Sequence, residues 1–180
     1  MSDPDQKTKD SPGPVDLTMS SIGVVRTPFK EQTGTPIQPR FARATEGLVE
    51  IFEPYVEALA DVDGFERIWL LFLLDRAKPW QPRVIPYLDT VQRGLFATRA
   101  PSRPCPVGLS VVEVVSIDSN RLTVRGIDII DKTPLLDIKP YIPQFDAFPD
   151  SRTGWFGDMS SRSPRADKRF SKEEQKAHKE

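Results

Sequence analysis

The chain has 180 residues, 38% of them hydrophobic, and 25 Lys and Arg against 26 Asp and Glu, for a net charge of −1. That length supports one sizeable core rather than two, and the balanced charge gives no global attraction to nucleic acid, so any basic surface has to be local. A single cysteine, Cys105, excludes an intrachain disulfide, and the lone His178 leaves no thiolate or imidazole cluster for zinc. No apolar run approaches the roughly 20 residues of a bilayer span and no apolar leader opens the chain. A cytoplasmic protein without membrane or metal is expected.

Residues 1–18 are rich in Asp, Lys, Ser and Pro and cannot repay the entropy of ordering, so they read as a disordered tail. Ser21 to Arg26 is a short strand closed by Thr27-Pro28, and Glu31 to Pro39, with Gly34, Pro36 and Pro39, is a loop ending near Gln38. Gly47 to Phe52 alternates like a half-buried strand. Pro54 to Val62 has the Tyr55, Leu59, Val62 spacing of one short helix. Phe65 to Leu74 contains an unbroken apolar run from Ile68. It predicts a strand buried on both faces, although periodicity alone leaves a helix open. Charge and proline break the run at Asp75 to Pro82, and Val84 to Leu88 follows as an irregular or edge strand.

Arg93 to Leu109 is the unusual stretch. It opens strand-like at Leu95-Phe96, then carries Pro101, Pro104 and Pro106, which fix φ and remove backbone donors, so a stiff extended loop is expected. Arg99 and Arg103 present planar forks from it, suited to a carboxylate, a phosphate or an aromatic face. Cys105 is expected to fill space between prolines, with a nucleophilic role the weaker alternative because no histidine accompanies it as a base. Leu109 to Val115 and Arg121 to Gly126 flank Asp118-Ser119-Asn120 as a hairpin. Asp128, Asp131 and Asp137 then stand in an otherwise apolar segment, where acids are rarely buried unless paired. Asp137 is expected to pair with Lys139 or with an arginine of the central loop. From 147 to 180 the chain turns polar and charged, which reads as a solvated tail. Many short strands with Pro- and Gly-containing turns imply a mainly β barrel or sandwich over residues 19–146. No glycine-rich phosphate loop and no Ser-His or Cys-His arrangement is present.

Ile22 to Phe29, Pro36 to Pro39, Phe65 to Trp69, Gly94 to Gly108 and Asp128 to Tyr141 together resemble the TrmO family, the TsaA-like or YaeB-like domain, in the family's own order. That resemblance implies a single β-barrel domain and a homodimer. It also implies an S-adenosyl-L-methionine-dependent methyltransferase acting on the N6 of threonylcarbamoyladenosine beside the tRNA anticodon, or on a related adenine-containing substrate. A non-catalytic S-adenosylmethionine-binding or RNA-binding module of the same fold is the alternative.

Carried over by position, the cofactor contacts implied by the resemblance are Ile37, Gln38, Pro39, Arg76, Ala77, Arg99, Leu109, Gly126, Ile127, Asp128 and Ile129. Arg99 would serve the carboxylate of the cofactor, and Asp128 its amine or a ribose hydroxyl. Arg103 and Lys139 are the candidate substrate contacts, and Asp131, in the turn before Thr133-Pro134, is the candidate base, with turn capping as its competing role. The chain departs from the family at Ile37, where Arg is usual, at Glu66-Arg67, where Ser-His is usual, at Cys105 and Val107, where Asn and Ile are usual, and at Lys132, where Gly is usual.

Overall fold

The computed structural model describes residues 13–157 and 165–171. Six antiparallel strands, β1 (Gly23–Arg26), β2 (Glu46–Ile51), β3 (Arg67–Leu73), β6 (Val107–Asp118), β7 (Arg121–Arg125) and β8 (Thr133–Pro140), close into a barrel in the order β1-β2-β7-β6-β3-β8. Closure leaves no unpaired edge in this sheet. Two short strands, β4 (Arg83–Val84) and β5 (Arg93–Gly94), pair separately within the long connection from β3 to β6.

Alternation sets the core. Ile68, Leu70 and Phe72 of β3 point inward with Val49, Ile51, Val112, Leu122 and Leu135, while Trp69, Leu71 and Leu73 lie half-buried on the outer face. The expectation of a strand buried on both faces is therefore corrected to one buried and one partly covered face, with Trp69 edge-on to Tyr141 at 5.7 Å. The hairpin expected at Asp118-Ser119-Asn120 joins β6 to β7, with Ser119 in left-handed backbone at φ 54°.

The segment expected as a helix is a 3-10 helix, Glu53–Leu59, followed by a second turn at Val62–Gly64. Its core-facing residues are Val56, Leu59 and Val62, spaced by three, whereas Tyr55 is exposed. A three-residue repeat aligns side chains on a 3-10 helix and not on an α-helix, so the packing selected the tighter form. The one α-helix among the described residues is α1 (Pro143–Asp146). Leu95–Ala97, expected to open strand-like, is likewise a 3-10 turn, and it leaves Phe96 80% exposed.

The β3–β6 connection gathers a second apolar cluster of Val84, Leu95 and Ala100 with Tyr87 at its margin. Phe170 completes it, only 6% exposed and edge-on to Tyr87 at 5.1 Å. The backbone of Ala166 exchanges hydrogen bonds with Thr35 and Gly34 at 2.8 and 2.9 Å. Part of the stretch expected as a solvated tail thus packs on the domain, because Phe170 among charged neighbours is too sparse a signal for composition to register. Residues 1–12, within the tail expected at the N-terminus, lie outside the described residues, and Val15 and Leu17 beside them are exposed.

Candidate functional site

At one end of the barrel, the β3–β6 connection, the loop before β2 and the strand ends of β6 and β8 enclose a cleft of about 360 Å³. Eight of the residues carried over as cofactor contacts line it: Ile37, Gln38, Arg76, Ala77, Arg99, Leu109, Asp128 and Ile129, joined by Arg103. They come from five separate stretches of chain, and only barrel closure brings them together.

The floor is acidic. Asp128 accepts a hydrogen bond from the Ser110 hydroxyl at 2.6 Å. Enclosure by protein pushes its carboxyl up to about 6, with Ser110 and the charge of Arg99 acting in the opposite direction. Asp75 sits at the exposed rim beside Arg76, 3.2 Å away. The wall is cationic: Arg99 donates from Nη1 to Gln38 Oε1 at 2.6 Å, and Gln38 Nε2 donates to its neighbour Ile37 O at 2.7 Å. Arg103 donates to the carbonyl of Thr98 at 2.9 Å and lies 5.7 Å from the Phe96 ring. Arg76 is structural as well as cleft-lining, since its Nη2 donates to Asp131 O and Thr133 Oγ1, both at 2.9 Å.

The remaining candidates lie elsewhere. Pro39 opens a 3-10 turn, Ile127 is wholly buried in the core, and Gly126 supplies a left-handed backbone at φ 84° between β7 and Ile127. Lys139 projects from the outer face and pairs with Asp137 at 2.8 Å, the pairing expected for that acid. The structure does not bring the Asp131 carboxylate into the cleft. Asp131 accepts from Lys30 Nζ at 2.7 Å and from the backbone N–H of Thr27 at 3.1 Å, tying the β1 exit to the turn before β8. The ammonium of Lys30, with that N–H, holds its carboxyl below the usual range despite its burial.

Ser110, Thr98 and Tyr87 line the cleft without having been singled out from sequence. Ser110 sits in an alternating strand, where its inward position was legible but its partner 18 residues on was not.

A second cleft, of about 560 Å³, adjoins the first and shares Ile37, Gln38, Tyr87, Thr98, Arg99 and Ala100 with it. Its remaining wall includes Phe96, Trp155, Phe156 and Phe170. Trp155 donates from its indole nitrogen to Ala97 O at 2.7 Å.

Comparison with known proteins gives the same frame. A Pyrococcus abyssi protein named "Probable S-adenosyl-L-methionine-binding protein" is 45% identical over 142 residues, 79% of this chain and 77% of its own length. The Escherichia coli tRNA (adenine(37)-N6)-methyltransferase is 34% identical over 144 residues, 74% of this chain and 61% of that protein. The crystal structure of TrmO from Pseudomonas aeruginosa superposes with a TM-score of 0.66 at 39% identity, covering 78% of this chain and 63% of that one. The chain therefore spans about three fifths of the length of these two proteins. The family model of the tRNA-methyltransferase O N-terminal domain matches residues 24–147, the barrel and both sides of the first cleft, and the chain belongs to the TrmO family.

Proposed function

We propose that this protein is an S-adenosyl-L-methionine-dependent methyltransferase acting on the exocyclic N6 of an adenine in tRNA, with threonylcarbamoyladenosine beside the anticodon as its acceptor. The observation that supports it most is the first cleft, where the one enclosed carboxylate, Asp128, faces a wall carrying Arg99 within a family whose members include an adenine N6-methyltransferase. The donor set suits the cofactor. A sulfonium with an amino acid tail presents positive charge, a carboxylate and a planar base, and the cleft offers an acid, an arginine fork and apolar walls from Ile37, Leu109 and Ile129.

When bound, the cofactor supplies an electrophilic methyl group. The chain's own residues hold and orient. Arg99 pairs with the carboxylate of the amino acid tail, its fork kept in place by Gln38. Asp128, oriented by Ser110, faces the positive charge. The stiff loop from Pro101 to Pro106 fixes Arg103 at the cleft margin, so that most of the catalytic effect comes from positioning donor and acceptor at near-attack distance. Asp131, committed to Lys30 and Thr27, maintains the turn that presents Ile129 and Arg76. A tRNA substrate would place the protein in the cytoplasm. We further propose a homodimer formed through the surface near Pro101 to Gly108, where Leu109 is 51% exposed.

Calorimetry with S-adenosylmethionine and methyl transfer to threonylcarbamoylated tRNA together test the reading. Binding with transfer supports it. Binding without transfer to any adenine-containing RNA would instead support a non-catalytic binding module, the description under which the Pyrococcus abyssi relative is named, and no binding would sink both.

A further inference from the structure

We propose that the second cleft is a stacking site for an unpaired nucleobase of the acceptor RNA, and that Trp155, beyond the family domain, is its principal platform. The inference rests on the proposed methyl transfer to RNA and assigns that reaction a substrate contact which the family match to residues 24–147 does not contain.

The cleft is built for a planar, electron-rich ligand. Trp155 and Phe156 stand edge to face at 6.0 Å in the 3-10 turn Gly154–Phe156, and Phe156 is 41% exposed. The indole is held in place on two sides. Its nitrogen donates to Ala97 O, and the guanidinium of Arg93 lies 5.3 Å from the ring centroid. Arg93 is itself anchored by Asp89 at 2.8 Å, and Asp89 also accepts from the backbone N–H groups of Thr90 and Val91. A rigid aromatic face loses little entropy when a base stacks on it. Exposed aromatics interleaved with arginines are the usual means of gripping single-stranded nucleic acid without reading a duplex.

Charge favours RNA over an apolar peptide. With Arg99 committed to the cofactor's carboxylate, Arg103 donates only to backbone carbonyls and keeps its positive charge at the margin of the first cleft, beside the Phe96 ring that lines the second. Gln38 and Arg99 belong to both clefts, so a base in the second lies beside residues that also line the first.

The test uses the full chain, Trp155→Ala and Trp155→Phe, with two anticodon stem-loop RNAs, one intact and one that keeps the acceptor adenine but is abasic at its unpaired neighbours. Trp155→Ala should weaken binding of the intact RNA by about tenfold or more, leave S-adenosylmethionine affinity within about twofold, and have no further effect on the abasic RNA, which the unaltered protein already binds weakly. Trp155→Phe keeps a stacking face and should recover most of the loss. Unchanged affinity for the intact RNA, an equal loss on abasic RNA, or an equal loss of S-adenosylmethionine would each overturn the proposal, the last by assigning the cleft to the cofactor. If Trp155→Ala lowers the melting temperature, Phe96→Ala, at an exposed position of the same cleft, is put through the same comparison and decides the matter. Because these readouts are binding, they stand apart from turnover: base-dependent binding without methyl transfer would sink the proposed activity and leave the stacking site standing.

Discussion

Asp128 and Asp131 are three residues apart in one apolar segment and are driven to opposite ionisation behaviour by their surroundings. Asp128 keeps its proton more tightly because enclosure penalises the charged form, whereas Lys30 and a backbone N–H favour ionised Asp131. For Asp128 the folded chain retains a proton that the unfolded chain has released, so its contribution lowers stability as pH rises from about 4 to about 6 and is constant above that. Asp128→Asn should therefore raise apoprotein stability at pH 8 by on the order of 2 kcal/mol, with the gain vanishing below pH 4 in denaturant titrations. The same substitution should weaken S-adenosylmethionine binding, and the native affinity should fall as pH drops below about 6, since the cationic ligand requires the ionised acid. Arg99 is exposed, so Arg99→Ala should leave the melting temperature unchanged and reduce cofactor affinity by about 1.5–3 kcal/mol, the usual worth of a charge-assisted hydrogen bond. Normal binding by calorimetry would show Arg99 to be idle.

At the scale of elements, the turn from Ile130 to Thr133 links β1 to β8 through Asp131, and its position 132 is strained. Lys132 has φ 62°, a left-handed conformation that costs an L side chain energy and a glycine nothing. The family's usual glycine at this position thus has a backbone reason. Lys132→Gly should be stabilising, though by under about 1 kcal/mol because glycine also loosens the unfolded chain. Asp131→Asn keeps the shape of the turn but loses the ion pair with Lys30, and its main effect should be a lower melting temperature with cofactor affinity retained; a large loss of turnover at unchanged stability would restore Asp131 as a base. Between β3 and β6, Gly108 faces Phe72 across the ladder, and a methyl group there would run into the phenyl ring. Gly108→Ala should cost about 1–3 kcal/mol as the ring is forced to shift, measurable as a lower denaturation midpoint.

For the whole molecule, the barrel is closed by its own strands, but the two clefts depend on what is laid over it. Phe170 locks residues 165–171 onto the β3–β6 connection, helped by Arg169, which donates to Pro86 O at 2.6 Å and lies over the Tyr87 ring. Phe170→Ala should cost about 3 kcal/mol and loosen the second cleft, whereas removing residues 1–18, whose Val15 and Leu17 are exposed, should leave the thermal transition in place. Sedimentation at working concentration checks the homodimer: a monomer would remove it, and a dimer broken by Leu109→Asp would place its interface beside the first cleft.

The sequence by itself determined β1, β2, β3, β6 and β7, the β6–β7 hairpin and the mainly β class, because alternation and turn chemistry are local, whereas β8, an apolar segment broken by aspartates, was not legible as a strand. The family motifs located most of the first cleft, since Arg99, Asp128 and their companions lie within them. What the tertiary structure alone decided was pairing at a distance. Which acid met Lys30 and which met Ser110, whether Glu53–Leu59 coiled by three or by 3.6, and whether Phe170 would find an apolar partner all depend on residues far away in the chain. A polar stretch with a few scattered aromatics carries no periodic signal, so the wall formed by Trp155, Phe156 and Phe170 could emerge only once the barrel had closed and the β3–β6 connection offered Phe170 a place to be buried.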